Sequence, residues 1–310
     1  MFGRVFAIAL NTYRESVRAR ILLGLAGVAF AVAFYSVVIG AFTLRNAPRV
    51  VSDLGQATVS LFGVAVAIVL GAASLHRELE QKTLFPILAR PIRRGEYLVG
   101  KYLGTLLTLS VFMLADAGLV LFLCAGLGGR SLGELLGLGS ALVGLFAFTA
   151  WRSPRARTFG PIPFALALFA LGYWLSGGLP GDRQVVAAGM ALAFLEVGIV
   201  TGLATLFSAF STAFLSALLT FGTFIVGRQA DVLANLPVKY FGTQGRALGA
   251  LLSKVVPNLQ VFVPPRTLLL GETVGAPVGT YLLLAAATSV AWSVVLVTIA
   301  STVFRKRDFL

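Results

Sequence analysis

Long runs of apolar residues, separated by short polar loops, set the organisation of this chain. About 20 consecutive apolar residues cross a bilayer core, and runs near 21–43, 56–75, 102–126, 133–151, 160–179, 186–208, 212–230 and 278–303 reach or approach that length. They predict an all-α polytopic membrane protein with eight spans. Before the first run, Phe2, Phe6, Leu10, Tyr13 and Val17 recur at helical spacing with Arg4, Arg14, Arg18 and Arg20 around them. That pattern predicts an amphipathic helix over 1–20 lying on a membrane surface. Residues 231–277 are broken by Pro237, Pro257, Pro264, Pro265 and Pro277 and read as structure outside the bilayer, with Ala247 to Val256 apolar enough to form one helix.

Charge orients the spans. Arg4, Arg14, Arg18 and Arg20, then Arg77, Lys82, Arg90, Arg93, Arg94 and Lys101, then Arg152, Arg155 and Arg157, and last Arg305, Lys306 and Arg307 fall on one side, making 16 of the 25 lysines and arginines. The positive-inside rule makes that side cytosolic, so both termini are expected in the cytosol; the membrane expected is the plasma (inner) membrane. Arg228, Lys239, Arg246, Lys254 and Arg266 fall on the outer side, in a segment long enough for the rule to be weak. The first apolar run follows three arginines and is long enough to span, so it reads as a retained anchor.

The polar stretch that stands out is 76–101, HRELEQKTLFPILARPIRRGEYLVGK. Thr83 can cap a short helix that tolerates Pro86 in its first turn, and Pro91 ends it. Leu84 and Leu88 share one face with Ile87 beside them. Two readings stand: an interfacial helix on lipid headgroups, or a dock that fits a socket on another protein.

Composition narrows the class. With 58% hydrophobic and 12% charged residues and a mean hydropathy of +0.92, no soluble core of this size is plausible. The net charge of +13 lies in short loops beside apolar spans, which argues against nucleic acid. Cys124 is the single cysteine and lies in an apolar run, so no internal disulfide can form.

The candidate chemistry is sparse. Gly95-x-x-x-x-Gly100-Lys101 imitates a phosphate-binding loop, but Tyr102 stands where a Ser or Thr would hold Mg²⁺ and no strand precedes it. The chain is therefore expected to hold no nucleotide, no metal and no catalytic site. His76 is the single histidine, so neither a metal ligand set nor a catalytic triad can be assembled around it. Asp116 and Glu196 fall inside expected spans, where an ionised group is costly, and are intramembrane site candidates. The plainer reading is a helix-packing hydrogen bond with the acid protonated; neither has an evident Arg or Lys partner in the sequence. Small residues recur every fourth position at Gly129, Gly133, Gly137 and Ala141, and at Gly63, Ala67 and Gly71. Such rows allow close helix approach, although membrane helices are rich in Gly and Ala generally.

The order Arg77-Glu78-x-Glu80-x-Lys82-Thr83-Leu84, then Leu88-Ala89-Arg90-Pro91-Ile92-Arg93-Arg94, then Gly100-Lys101, resembles the coupling-helix region of ABC-2 type ABC transporter permeases. The branch it is most similar to contains the permease of the nitrous-oxide-reductase maturation system. Ile8-Ala9-Leu10-Asn11-Thr12-Tyr13-Arg14-Glu15, Val256-Pro257-Asn258-Leu259 and Phe304-Arg305-Lys306-Arg307-Asp308-Phe309 support the likeness. The resemblance implies one transmembrane domain over 1–310, with an elbow helix at 1–20, a cytosolic coupling region at 76–101 and helices at 231–277 that close the exit. It implies a core of six spans, which leaves the pair within 132–179 as an addition. It also implies a partner ATPase holding ATP and Mg²⁺, contacted by Glu78, Glu80, Thr83, Leu84, Ile87, Leu88, Arg90, Pro91, Arg93 and Arg94, and a second copy of the permease. Membrane lipid and an outer-side protein at 231–277 complete the expected partners. Two other classes compete: a proton-driven secondary transporter using Asp116 and Glu196, and a membrane scaffold. The first predicts internal repeats that the sequence does not display. The second leaves the apolar face at Leu84 to Leu88 unexplained.

Overall fold

The computed structural model describes residues 2–43, 46–80, 93–272 and 277–306, and every regular element among them is helical. In order these are α1 (Phe2–Arg18), α2 (Arg20–Ala41), α3 (Ala47–Glu80), α4 (Arg94–Leu127), α5 (Leu132–Arg152), α6 (Pro154–Phe159), α7 (Pro161–Leu175), α8 (Pro180–Ser208), α9 (Ala213–Arg228), α10 (Ala230–Ala234), α11 (Val238–Val255), α12 (Arg266–Leu269) and α13 (Val278–Lys306). Helices suit this sequence because a span must satisfy its own backbone groups in hydrocarbon. Threonines inside the spans return their hydroxyls to the carbonyl four residues back, as Thr105, Thr108, Thr201 and Thr205 do. Element starts follow local chemistry. Pro154, Pro161 and Pro180 occupy first helical positions. Ser131 caps α5 by accepting from the Glu134 N–H at 3.2 Å.

Among the described residues seven helices are long and apolar enough to cross a membrane: α2, α3, α4, α5, α7, α8 and α13. The seventh of the eight expected spans, 212–230, is instead α9, whose 16 residues make about 24 Å of helix against a core of about 30 Å. The second span also differs from expectation. The run at 56–75 belongs to a helix that begins at Ala47 and continues to Glu80.

The bundle has two recognisable ends. At the basal end, α1 lies across α4, and the start of α4 meets the close of α13. There Tyr97 stacks on Phe304 at 6.5 Å, and Arg94 Nη1 donates to the Arg305 carbonyl at 3.0 Å, placing a cation on the α13 C-terminus. The turn between α5 and α7 is at the same end, since Phe159 of α6 stacks on Tyr13 of α1 at 6.0 Å. At the apical end lie α10, α11, α12 and the short 3₁₀ turn Gln260–Phe262. The Leu259 N–H donates to the Gly227 carbonyl at 3.0 Å, and a Cβ at Gly227 would lie 2.8 Å from the Pro257 carbonyl oxygen, so glycine permits this junction. The stretch expected as a helix at Ala247 to Val256 is the second half of α11, after a kink at Gly242 with φ of 68°.

The core is formed by α3, α4 and α8. Their contact depends on small residues: a Cβ at Gly71 would lie 2.5 Å from the Ala204 Cβ, and one at Gly63 would press on Met113 and Val197. The second small-residue row, Gly129, Gly133 and Gly137, has open space at each position. Helix α5 accordingly buries a single side chain, Leu135, and lies at the periphery. Helix α1 packs one face on α4 and leaves another open. Phe6 is 64% exposed, whereas Ala9, Thr12, Tyr13 and Ser16 are buried. Gly100 and Gly104 of α4 form the notch, since side chains there would collide with Ile8 and Ala9.

Candidate functional site

A cavity of about 570 Å³ opens beneath the apical segment, between α3, α8 and α9. Its wall carries Asp53, Gln56 and Ser60 from α3 and Phe224, Arg228 and Gln229 from the end of α9. Gln260, Phe262 and Val263 from the 3₁₀ turn, with Pro264 and Arg266, roof it. Amide, hydroxyl and guanidinium groups thus face aromatic and aliphatic ones across one space.

At its base lies an ion pair that the sequence did not disclose. Glu196 of α8 is fully buried and accepts from Arg228 Nε at 2.5 Å and Nη2 at 2.8 Å, a bidentate contact. Arg228 Nη2 also donates to Ser60 Oγ at 2.9 Å, joining α3, α8 and α9 at one point. The expectation that Glu196 lacks a basic partner is therefore corrected. The reason is the length of α9: it has 16 residues, so its terminal arginine reaches only as far as the middle of α8. Glu196 is 12 residues from the basal end of α8, about 18 Å along the helix, consistent with that depth. Gly189 lets Gln56 approach α8 about two turns closer to the apical end, since a Cβ there would strike the amide.

Asp116 belongs elsewhere. It is fully buried, with both carboxyl oxygens lacking a hydrogen-bond partner among the described residues. It shares a face of α4 with Met113 and Val120, which press on Gly63 and Gly55 of α3. The two acids singled out in the sequence thus have different surroundings, one ion-paired beside the cavity and one sealed between helices.

Toward the apical end, Arg266 of α12 clamps the starts of two long helices. It donates to Asp53 of α3, to Asp182 of α8, and to Ser52 Oγ at 3.1 Å; Ser52 in turn donates to Asp182 at 2.9 Å. Burial would lower the Arg266 pKa, but hydrogen bonding to Asp182 and the nearby Asp53 charge outweigh it and hold the group above its ordinary value. Sequence reasoning missed this clamp as well. Its residues lie on three helices far apart in the chain, α3, α8 and α12, and the one available signal was acid beside arginine at the expected outer ends of spans.

Of the residues expected to contact an ATPase, Thr83, Leu84, Ile87, Leu88, Arg90 and Pro91 lie outside the described residues. The backbone of Glu78 and Glu80 belongs to the last turns of α3. Arg93 is the extended residue preceding α4, and Arg94 is engaged at the α13 terminus as described above.

Comparison with curated proteins finds no match. Comparison with protein families finds one whose description is ABC-2 family transporter protein, matched by residues 6–309. That match takes in α1, the core, the peripheral α5–α7 pair, the roofed cavity and α13, so the chain belongs to the ABC-2 transporter family as a multi-pass membrane component with permease character.

Proposed function

We propose that this chain is the permease subunit of an ABC transporter, working as two copies with a separate cytosolic ATPase that holds ATP and Mg²⁺ and docks on residues 76–101. The basal end is assigned to the cytosol. In support, it gathers Arg14, Arg18, Lys101, Arg155 and Arg157, whereas the apical end pairs its Arg266 with acids. The chain would then reside in the plasma membrane with both termini cytosolic and the apical segment outside.

The cargo reading rests on one observation, the cavity in which Arg228, held by the buried Glu196 behind the wall, adjoins Phe224 and Phe262 under an apical roof. A wall of amides, hydroxyls and one ion pair suits a polar head group, and the aromatic side suits an attached apolar chain. An amphipathic or lipid-linked molecule fits this lining. Copper, the cargo class suggested by the nitrous-oxide-reductase branch, wants soft Cys, Met or several His ligands, and the wall offers amide and guanidinium nitrogen instead. A proton-driven carrier would need Glu196 exchanging protons in transit; its bidentate contact with Arg228 favours a fixed counter-ion instead. The test is ATP hydrolysis by the reconstituted complex. The reading expects stimulation by lipid-linked or amphipathic compounds. Stimulation by copper or small hydrophilic solutes, with none from lipid-like compounds, would overturn the cargo assignment.

A further inference from the structure

At the basal end a second cavity, of about 760 Å³, separates α1 from α6. Asn11, Arg14, Glu15 and Arg18 line it from α1, and Arg155 and Phe159 from α6. Its floor is ordered. Phe159 stacks on the fully buried Tyr13, and the Arg14 guanidinium lies 4.9 Å from the Phe159 ring centroid. Burial pushes the Tyr13 pKa up to about 12, in keeping with a dry floor beneath a charged mouth.

Three guanidinium groups and one carboxylate thus converge on a space large enough for a head group. Among the described residues none of Arg14, Arg18 and Arg155 donates a hydrogen bond or joins an ion pair, in contrast to Arg94, Arg130, Arg157, Arg228 and Arg266, all of which donate. Each guanidinium offers five donors in a planar fork that matches a phosphate oxygen pair. The cleft is also at the right level. Arg18 is followed two residues later by the start of the first span, so the cleft sits where lipid head groups meet the bundle.

We propose that this cleft binds the phosphodiester of an anionic membrane lipid through Arg14, Arg18 and Arg155. The bound lipid would bridge α1 to α6 and thereby help hold the peripheral α5, since α7 already packs closely on α4 at Gly118 and Gly172. Such a bridge has a purpose here, because α5 buries only Leu135 and gains little from packing of its own. Glu15 lowers the local charge without cancelling it, which favours a monoanionic diester over a more highly charged phosphate.

The experiment is native mass spectrometry of the full-length permease released from bilayers of mixed phosphatidylglycerol and phosphatidylcholine. The wild type should retain phosphatidylglycerol in preference. Each basic residue near an anionic surface is worth about fivefold in binding, so Arg155→Gln should weaken selective retention about fivefold. The triple change with Arg14→Gln and Arg18→Gln should weaken it about a hundredfold. Arg246→Gln, a matched charge loss on the exposed apical α11, should leave retention as in the wild type. If the triple variant fails to fold, Arg155→Gln alone decides, because Arg155 is exposed on the short α6. Retention without lipid preference, or preference unchanged in Arg155→Gln, overturns the proposal. So does displacement of the lipid by millimolar glycerophosphate or inorganic phosphate, which would make the site one for free phosphate. Loss of ATPase co-purification with lipid retention intact overturns it too, in favour of a protein-docking surface.

Discussion

Removing Arg228 should expose how the membrane-level ion pair is balanced. Glu196 is fully buried and its two oxygens accept 2.5 and 2.8 Å bonds from one guanidinium. Arg228→Met keeps the length of the side chain but leaves a buried carboxylate facing Ser60 alone, a loss worth about 3–5 kcal/mol for a broken buried pair. The reciprocal Glu196→Met strands an arginine whose side chain is 23% exposed at the cavity; because water can reach it there, the cost should be smaller, about 1–3 kcal/mol. Replacing both by Met removes both charges together, and such exchanges are often neutral or stabilising. The double variant should therefore be more stable than Arg228→Met. Heat-induced aggregation of detergent-solubilised protein reads this. At about 2–4 °C per kcal/mol for a large chain, Arg228→Met should lower the midpoint by roughly 10 °C, with most of that recovered in the double variant. Additivity of the two single changes within about 0.5 kcal/mol would refute the pairing.

Three further outcomes follow from the geometry. Gly71→Val should cost more than about 1–3 kcal/mol, since its side chain would enter Ala204, while Gly133→Val, which faces open space, should stay within about 0.5 kcal/mol; the yield of monodisperse protein separates them. Arg266→Met should release Asp53 and Asp182 together, and protease added to the apical face should then cleave within 231–277 several times faster than in the wild type. Tyr13, whose pKa is raised to about 12 by burial, binds its proton more tightly when folded. Its contribution is therefore intact below its unfolded value of about 10 and is lost as pH rises from there to about 12, so Tyr13→Phe should flatten the fall in stability over that window.

The spans were legible because crossing a bilayer demands length and apolarity together, and both can be counted along α2, α4, α8 and α13. The Arg228–Glu196 pair was not, because apolar length was credited to residue 230 when the helix stops at Arg228 after 16 residues. A run that short could have warned that its terminal charge would lie at depth. The packed face of α1 was hidden for a different reason. Reading the largest apolar residues selects Phe6, yet close approach to Gly100 and Gly104 selects the small Ala9 and Thr12. The same observation explains the phosphate-loop imitation at Gly95 to Lys101: Gly100 is small because Ile8 lies on it. The clamp of Arg266 on Asp53 and Asp182 unites positions more than 80 residues apart, which periodicity cannot report.

Coupling to a separate ATPase is the claim on which the functional account turns, and co-purification tests it most directly. The permease, co-expressed with the ABC ATPases of its own source organism, should retain one of them through detergent extraction, and the complex should hydrolyse ATP. Insertion of Leu84, Ile87 and Leu88 into the ATPase would be worth roughly 1.5–3 kcal/mol for each side chain, so Leu88→Asp should cost about a hundredfold in affinity and abolish co-purification while the permease itself remains monodisperse. Retention of the ATPase by Leu88→Asp at the wild-type level, or a wild-type permease that binds no ATPase, would contradict the account.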